Sequence, residues 1–123
     1  MRAMLYERLG GEAFFEKLVE RFYAGVAQDA LLRPLYPEAE LGPAAERLKL
    51  FLMQYFGGPG TYSERRGHPR LRMRHVGFAL GEAERDAWLL HMRRSLDEAG
   101  LAPELEEPVW SYFVEAAEFL RNR

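Results

Sequence analysis

The chain of 123 residues contains no cysteine. That absence excludes disulfide bonds, thiolate metal sites, iron–sulfur clusters and cysteine nucleophiles, and it is compatible with a reducing compartment. Long apolar runs are also missing, since no segment approaches the roughly 20 apolar residues of a membrane span. The first seven residues, M-R-A-M-L-Y-E, lack the apolar run of a secretory signal. We therefore expect a cytoplasmic protein that does not enter a membrane.

A strong excess of either charge is absent too, because 17 basic residues nearly balance 19 acidic ones and leave a formal net charge of −2. The molecule as a whole is therefore not expected to bind nucleic acid, and any basic character must be local. Hydrophobic residues make up 48% of the chain, which suits a packed core and argues against disorder. At this length we expect one domain, residues 1–123.

Apolar residues recur at three- and four-residue steps along most of the chain, and no segment shows convincing strand alternation. This periodicity predicts an all-α fold. Glycine and proline set the expected boundaries, because glycine often ends a helix and proline is tolerated in its first turn. Helices are expected at residues 3–9, 12–28, 43–56, 81–100 and from near Pro108 onward, with a short turn before Pro34, a short helix from Arg70 and an irregular loop over residues 61–69.

The segment most indicative of chemistry covers residues 65–78 and reads R-R-G-H-P-R-L-R-M-R-H-V-G-F. Gly67 and Pro69 prevent a regular helix at its start. Beyond them, His75 lies among apolar side chains and is flanked by arginines. An iron porphyrin requires this combination: a neutral nitrogen ligand, an apolar surround and positive charge for two carboxylates. A solvated basic loop that binds phosphate or nucleic acid is the alternative that these residues leave open.

The sequence lacks the motifs of other common catalytic and metal-binding sites. No Gly-x-Ser-x-Gly motif is present, and no glycine-rich run matches a phosphate-binding loop. The three histidines are separated by seven and sixteen residues, which fits no His-Glu-x-x-His zinc helix, and the Glu-x-x-His pairs of a di-iron bundle are missing. The design that remains is a site with a single imidazole ligand, in a chain whose predicted helices are rich in aromatic residues.

Several blocks of this sequence resemble the group II truncated haemoglobins, the O-type branch. They are R-F-Y at 21–23, L-Y-P-E at 35–38, Q-Y-F-G-G-P at 54–59, T-Y-S-E at 61–64, R-G-H-P-R-L-R-M-R-H at 66–75 and E-R-D-A-W at 84–88. The resemblance runs from Tyr6 to Leu120. It implies a globin-like fold, the truncated two-over-two helical sandwich, around one haem b (iron protoporphyrin IX).

The resemblance also assigns roles to individual residues. It implies that His75 is the proximal ligand to the iron and the only metal ligand. On the distal side it implies a set of residues around a bound ligand: Tyr23, Tyr36, Trp88 and Ala44. Ala44 stands where longer globins have a histidine, so hydrogen bonds to a ligand must come from the indole and a tyrosine hydroxyl. The expected cofactor contacts are completed by Leu48, Phe51, Leu52, Tyr62, Arg66, Met73 and Arg74.

Arg66, Arg74 and Tyr62 are the candidates for the haem propionates, because guanidinium groups pair well with carboxylates. His68 is expected to be a structural loop histidine or a propionate contact rather than an iron ligand. His91, three residues after Trp88, is expected to be a partly buried or surface histidine. The sequence does not set the role of His91.

The resemblance implies a haem protein that binds dioxygen, carbon monoxide and nitric oxide. An enzymatic alternative uses the same site as a nitric oxide dioxygenase or a peroxidase-like catalyst, and it needs an external reductase because no flavin or nicotinamide motif is present. A remoter alternative is a small helical module that binds nucleic acid or a protein partner through the arginines of residues 65–74. The sequence does not determine the oligomeric state, and a homodimer is compatible with it.

Overall fold

The structure, a computed structural model, describes residues 2–123, with side chains from residue 5 onward. The elements within this range are seven α-helices and one 3-10 turn: α1 (Arg2–Leu9), α2 (Gly11–Ala27), the 3-10 turn Arg33–Leu35, α3 (Gly42–Tyr55), α4 (Thr61–Arg66), α5 (Leu71–His75), α6 (Glu82–Ala99) and α7 (Pro103–Leu120). No strand occurs in residues 2–123. The all-α prediction is confirmed.

Helix α2 lies at the centre of the packing because one of its faces is apolar throughout. The buried residues of this face are Phe15, Leu18, Val19, Phe22, Tyr23 and Val26. Helix α2 packs against α3 and α6, and α6 packs against α7. These four long helices form the two-over-two sandwich that the family resemblance implies.

Helix α6 begins and ends as the sequence predicts. The Gly81 amide donates a hydrogen bond of 2.8 Å to Glu84 Oε1, which satisfies one of the free amides at the helix start. Gly100, with φ 63°, closes the helix in the left-handed conformation that glycine adopts easily.

The prediction of an irregular loop over residues 61–69 is wrong for residues 61–66, which form α4. The side chain of Gln54 explains the difference. Its Nε2 donates to Ser63 Oγ at 2.7 Å, and its Oε1 accepts from the Ser63 amide at 2.9 Å. Tyr62 is buried, and the helix ends at Gly67, where φ is 77°. A helix of this length shows little periodicity in sequence, so its tertiary contacts decide whether it forms.

The predicted start of the last helix near Pro108 is also wrong, because α7 begins at Pro103. Pro103 occupies the first turn, where a proline costs no hydrogen bond. Pro108 lies inside the helix and removes one backbone bond. Burial of Val109 and Phe113 offsets that loss.

Two smaller features complete the fold. The turn expected before Pro34 includes that proline, which stands at the start of the 3-10 turn. At the end of the chain, Asn122 Oδ1 accepts from the Leu80 amide at 2.9 Å and Asn122 Nδ2 donates to the Phe78 carbonyl at 2.8 Å. These bonds hold the loop that follows α5. Of the helices described, none combines the length and apolarity that a bilayer crossing requires.

Candidate cofactor site

A cavity of about 600 Å³ lies between the helices. Its size falls in the range of pockets that hold a small molecule or a cofactor. The lining includes residues of α2 to α7 and of the 3-10 turn. Of the residues predicted for the site, those in the wall are Tyr23, Tyr36, Ala44, Leu48, Phe51, Leu52, Tyr62, Arg66, Arg74, His75 and Trp88. The fold therefore brings together side chains that are up to 65 positions apart in sequence (Tyr23 to Trp88).

Met73 is the predicted contact that the structure does not bring to the cavity. Its side chain is 58% exposed. Leu71 and His75 both line the cavity. At 3.6 residues per turn, His75 lies only about 40° around α5 from Leu71, whereas Met73 lies about 160° from it. Met73 therefore points to the other side of this short helix.

His75 has the geometry of a ligand held in one orientation. Its Nδ1 lies 2.6 Å from the carbonyl oxygen of Leu71. A carbonyl only accepts hydrogen bonds, so Nδ1 carries the proton and donates it. In the neutral imidazole, Nε2 is then the nitrogen with a lone pair. Histidine ligands of metals commonly have this arrangement, since the hydrogen bond fixes the tautomer and the ring orientation.

The described residues contain no group of three or more histidine, cysteine, aspartate or glutamate side chains that could hold a metal ion. A site made by protein ligands alone, such as a zinc site, needs three or four of them. A porphyrin brings four nitrogens of its own and needs a single imidazole from the protein. The donor set around His75 therefore fits haem.

Tyr23 and Tyr36 form a linked pair of hydroxyls in the cavity wall. Their rings meet edge to face, with centroids 5.5 Å apart. Burial raises the pKa of both hydroxyls above the ordinary value of 10.0. The hydrogen bond between them raises the pKa of Tyr23 further and opposes the rise at Tyr36. Each hydroxyl carries one proton and the bond uses one of them, so one O–H of the pair stays available to another acceptor.

Trp88 is held in the wall by two edge-to-face aromatic contacts. Its ring centroid lies 5.2 Å from that of Phe22 and 5.7 Å from that of Phe113. The indole N–H of Trp88 can only donate a hydrogen bond. Ala44, which is buried in the same wall, offers no donor. Among the residues predicted for the distal side, the donors are therefore the indole N–H and the tyrosine hydroxyls.

Arginines border the cavity, but they are not equally free. Arg74 donates from Nε to the Pro69 carbonyl at 2.7 Å and from Nη2 to the Arg66 carbonyl at 3.0 Å. Its remaining N–H groups are available to a bound carboxylate. Arg66 is exposed, and its guanidinium lies 5.9 Å from the ring centroid of Tyr62. Both remain candidates for propionate contacts.

Sequence reasoning missed Arg47, which also lines the cavity. Its Nη2 lies 2.7 Å from Glu38 Oε1, and this hydrogen bond lowers the pKa of the Glu38 carboxyl. Glu38 is a wall residue as well, and its other oxygen is buried without a partner among the described residues. The signal was present: Arg47 follows Ala44 by three positions, so both lie on one helix face.

The other missed wall residues include an apolar set in α5, in the loop after α5 and in α7: Leu71, Phe78, Leu80, Phe113, Ala116, Ala117 and Leu120. Three charged side chains that were also missed line the cavity: Glu84, Arg85 and Arg121. The members from α7 recur at three- and four-residue steps. That spacing indicates one apolar face but does not say whether the face meets protein or a cofactor.

The two remaining histidines lie away from the cavity wall. His68 is exposed, and its Nδ1 accepts a hydrogen bond of 3.1 Å from the Arg70 amide. This bond accompanies the left-handed conformation of Arg70, at φ 44°. His68 is thus a structural loop histidine. His91 contacts Asp29 and is partly buried, as the sequence predicts.

Comparisons with known proteins agree with this geometry. The profile of the family described as bacterial-like globin matches residues 4–122. The group 2 truncated hemoglobin YjbI of Bacillus subtilis is 43% identical over 102 residues, which is 83% of this chain and 76% of that protein. The structure of a thermostable hemoglobin from Thermobifida fusca superposes with a TM-score of 0.94 at 59% identity and covers 96% of each chain. The truncated oxygen-avid haemoglobin of Bacillus subtilis superposes with a TM-score of 0.90 at 39% identity, over 96% of this chain and 98% of that one.

The fold and the cavity define a globin-type haem protein that binds a ligand. The chain belongs to the bacterial-like globin family, and its resemblance to the group II truncated haemoglobins is confirmed. Membership in this family favours the haem reading of residues 65–78 over a nucleic-acid-binding loop.

Proposed function

We propose that this protein binds haem b through Nε2 of His75 and holds a diatomic ligand, foremost dioxygen, beside Trp88 and Tyr36. The observation that carries the proposal is the bond of 2.6 Å from His75 Nδ1 to the Leu71 carbonyl. In the neutral imidazole, this bond leaves the lone pair on Nε2, and His75 lies in the cavity wall. When bound, haem supplies the iron that coordinates the ligand.

The hydrogen-bonding groups of the wall support a ligand that carries partial negative charge. The hydrogen bond between Tyr23 and Tyr36 orients their hydroxyls and leaves one O–H of the pair available to the ligand. The raised pKa values keep both hydroxyls protonated at neutral pH. The indole of Trp88 adds a second donor. Dioxygen accepts such bonds more strongly than carbon monoxide because more negative charge develops on it, so we expect slow dissociation of dioxygen.

Apolar side chains close the rest of that wall. Leu52 is 1% exposed, and Leu48 and Phe51 line the same helix face. Exclusion of water strengthens each hydrogen bond to the ligand, because the local dielectric is low. The same side chains would limit the contact of a bound haem with water.

Positive groups at the border suit the two propionates of haem. Arg66 and Arg74 present guanidinium N–H groups to the cavity border, and Tyr62 lies beneath Arg66. Arg47 is a further candidate, although it must share its charge with Glu38. A guanidinium–carboxylate pair at a partly exposed site is worth about 0.2–1 kcal/mol, so these residues orient haem more than they retain it.

An absorption spectrum tests the proposal directly. We expect the reduced protein with one equivalent of hemin to show a Soret band that shifts on addition of carbon monoxide. A protein that stays colourless after incubation with hemin would rule the proposal out.

The ligand-binding part is tested by Trp88→Phe, which removes the indole donor and keeps an aromatic ring. We expect dioxygen to dissociate about fivefold faster, the effect of losing one hydrogen bond. Trp110→Phe is the matched control, because Trp110 lies outside the cavity wall beneath the Arg93 guanidinium. Equal rates in Trp88→Phe and the unmodified protein would assign the stabilising bond to Tyr36 alone.

A further inference from the structure

His91 and Asp29 form a side-chain pair outside the cavity. His91 Nε2 lies 2.7 Å from Asp29 Oδ2, and the two side chains are 12% and 19% exposed. A carboxylate only accepts hydrogen bonds, so Nε2 carries the proton. The bond joins helix α6, which holds His91, to the turn that follows α2, which holds Asp29.

The imidazole reaches this position because α2 has a glycine beneath it. A Cβ atom placed on Gly25 would lie 2.4 Å from His91 Nδ1, and real contacts of this kind are essentially never so short. The backbone of Gly25 is helical, so left-handed geometry does not require glycine there. Glycine inside a helix costs about 1 kcal/mol relative to alanine. Glycine at position 25 leaves the space that the imidazole of His91 occupies.

The second oxygen of Asp29 holds the chain that leads to the cavity. Asp29 Oδ1 accepts hydrogen bonds from the amides of Leu31, at 2.8 Å, and Leu32, at 3.2 Å. Leu32 is buried and lines the cavity, and Tyr36 follows directly after the 3-10 turn. Asp29 therefore fixes the start of the segment that ends at the Tyr36 hydroxyl.

His91 stands one helical turn after Trp88, so both side chains lie on neighbouring parts of one helix face. The backbone around His91 is itself restrained. Ser95 Oγ donates to the His91 carbonyl at 2.9 Å, and Arg21 Nη1 of α2 donates to the Ser95 carbonyl at 3.4 Å. A displacement of His91 relative to Asp29 would move the helix that holds Trp88 relative to the segment that holds Tyr36.

We propose that His91 and Asp29 are positioning residues that set the distance between the Trp88 indole and the Tyr36 hydroxyl, and so set the hydrogen bonding of a bound diatomic ligand. The proposal rests on the proposed function. Gly25 is the third member of the arrangement, because it lets the imidazole reach the carboxylate. The competing interpretation is that the pair adds stability to the fold and nothing else.

The test compares three variants of the haem-loaded protein. His91→Leu removes the donor to Asp29, whereas His91→Gln keeps an N–H donor. Arg93→Leu is the matched control, because Arg93 lies on the same helix as His91 but does not line the cavity. Arg93 forms one ion pair with Asp97 of α6, at 2.7 Å, and another with Glu106 of α7. Each variant is measured for dioxygen dissociation, for the C–O stretching frequency of its carbon monoxide complex and for stability to urea.

We expect His91→Leu to speed dioxygen dissociation about fivefold and to shift the C–O stretch, as loss of one ligand hydrogen bond would. His91→Gln should restore most of both properties. Arg93→Leu should lower the stability without changing either. If His91→Leu changes stability while the dissociation rate and the C–O stretch stay as in the unmodified protein, the pair has a structural role only and the proposal is overturned.

Amide hydrogen exchange gives a reading that does not depend on haem. We expect the amides of Leu31, Leu32 and Tyr36 to exchange faster in His91→Leu apoprotein and to be unchanged in Arg93→Leu. Equal exchange in both variants would overturn the positioning role. A protein that takes up no haem would overturn the proposed function instead, and the exchange of these amides would still report whether His91 holds the turn.

Discussion

The cavity wall formed by α2, α3 and α6 differs from the segment over residues 66–80 in what holds it in place. On α2, Phe15, Leu18 and Phe22 have no exposed surface. On α5, by contrast, no residue is buried, and Val76 just after it is 74% exposed. Hydrophobic burial fixes the first region, and individual hydrogen bonds hold the second.

The two sides of the site are therefore held in place by different interactions, the Tyr23 and Trp88 side by hydrophobic burial and the His75 side by individual hydrogen bonds. Tyr23 and Trp88, which we propose to lie on the ligand side, are attached to helices that the core would order without a cofactor. His75 is attached to a five-residue helix, which is too short to be stable by itself. We therefore expect haem to order residues 66–80 more than it orders α2 or α6, because ligand binding stabilises the state that binds it.

The largest effect is expected from a cavity in the first region. Phe22→Ala removes a fully buried ring that contacts Tyr23 and Trp88 and should cost about 3–5 kcal/mol of the free energy of unfolding. Val76→Ala in the second region should change it by less than about 0.5 kcal/mol, because the side chain is exposed. Urea unfolding measures both. Similar losses in the two variants would contradict the contrast between the two regions.

A smaller effect is expected from the hydrogen bonds of the second region. Arg74→Leu removes the bonds to the carbonyls of Pro69 and Arg66, so the segment loosens and haem should be lost about tenfold faster to an acceptor apoprotein. Arg72→Leu is the control. Its guanidinium lies 4.9 Å from the ring centroid of Phe119, and Arg72 does not line the cavity. Equal rates of haem loss in the two variants would show that these bonds do not hold the site.

The effect of pH should be smaller still and should report on the first region. The pKa of Tyr23 is raised by burial, so the folded protein keeps its proton above the ordinary value of 10.0, where the unfolded chain loses it. The unfolded state then binds fewer protons, and stability falls as the pH rises above that value. Below it, the contribution is fully present. In Tyr23→Phe this alkaline loss should be weaker, as urea unfolding at a series of pH values would show.

The acidic end of the same series of urea unfolding measurements tests the turn after α2. The hydrogen bond from His91 and those from two amides lower the pKa of Asp29 below its ordinary value of 3.8. Stability from this carboxylate is therefore present above that value and is lost as the pH falls through the lowered pKa. Asp29→Asn should remove part of this acid dependence and leave the alkaline loss unchanged.

The long helices could be predicted from sequence because their signals are local. Periodic apolar residues define α2, and Gly81 and Gly100 enclose α6. The errors lie where distant contacts decide. Helix α4 depends on Gln54, nine positions before Ser63. Helix α7 begins before Pro108 because apolar residues further along are buried.

The same distinction applies to the site. His75 and Trp88 could be assigned by resemblance to a family, and the structure places both in the cavity wall. The side on which Met73 lies depends on the start of a five-residue helix, which sequence alone places poorly. The partner of His91 is 62 positions away, so no local pattern could indicate it.

The most direct test of the account is the binding of hemin to His75→Ala, with His68→Ala and His91→Ala measured beside it. We expect the first variant to bind hemin weakly or not at all, because it alone loses the unprotonated nitrogen in the cavity wall. The other two should bind hemin as the unmodified protein does. Equal hemin affinity in all three variants would contradict the assignment of His75 as the iron ligand.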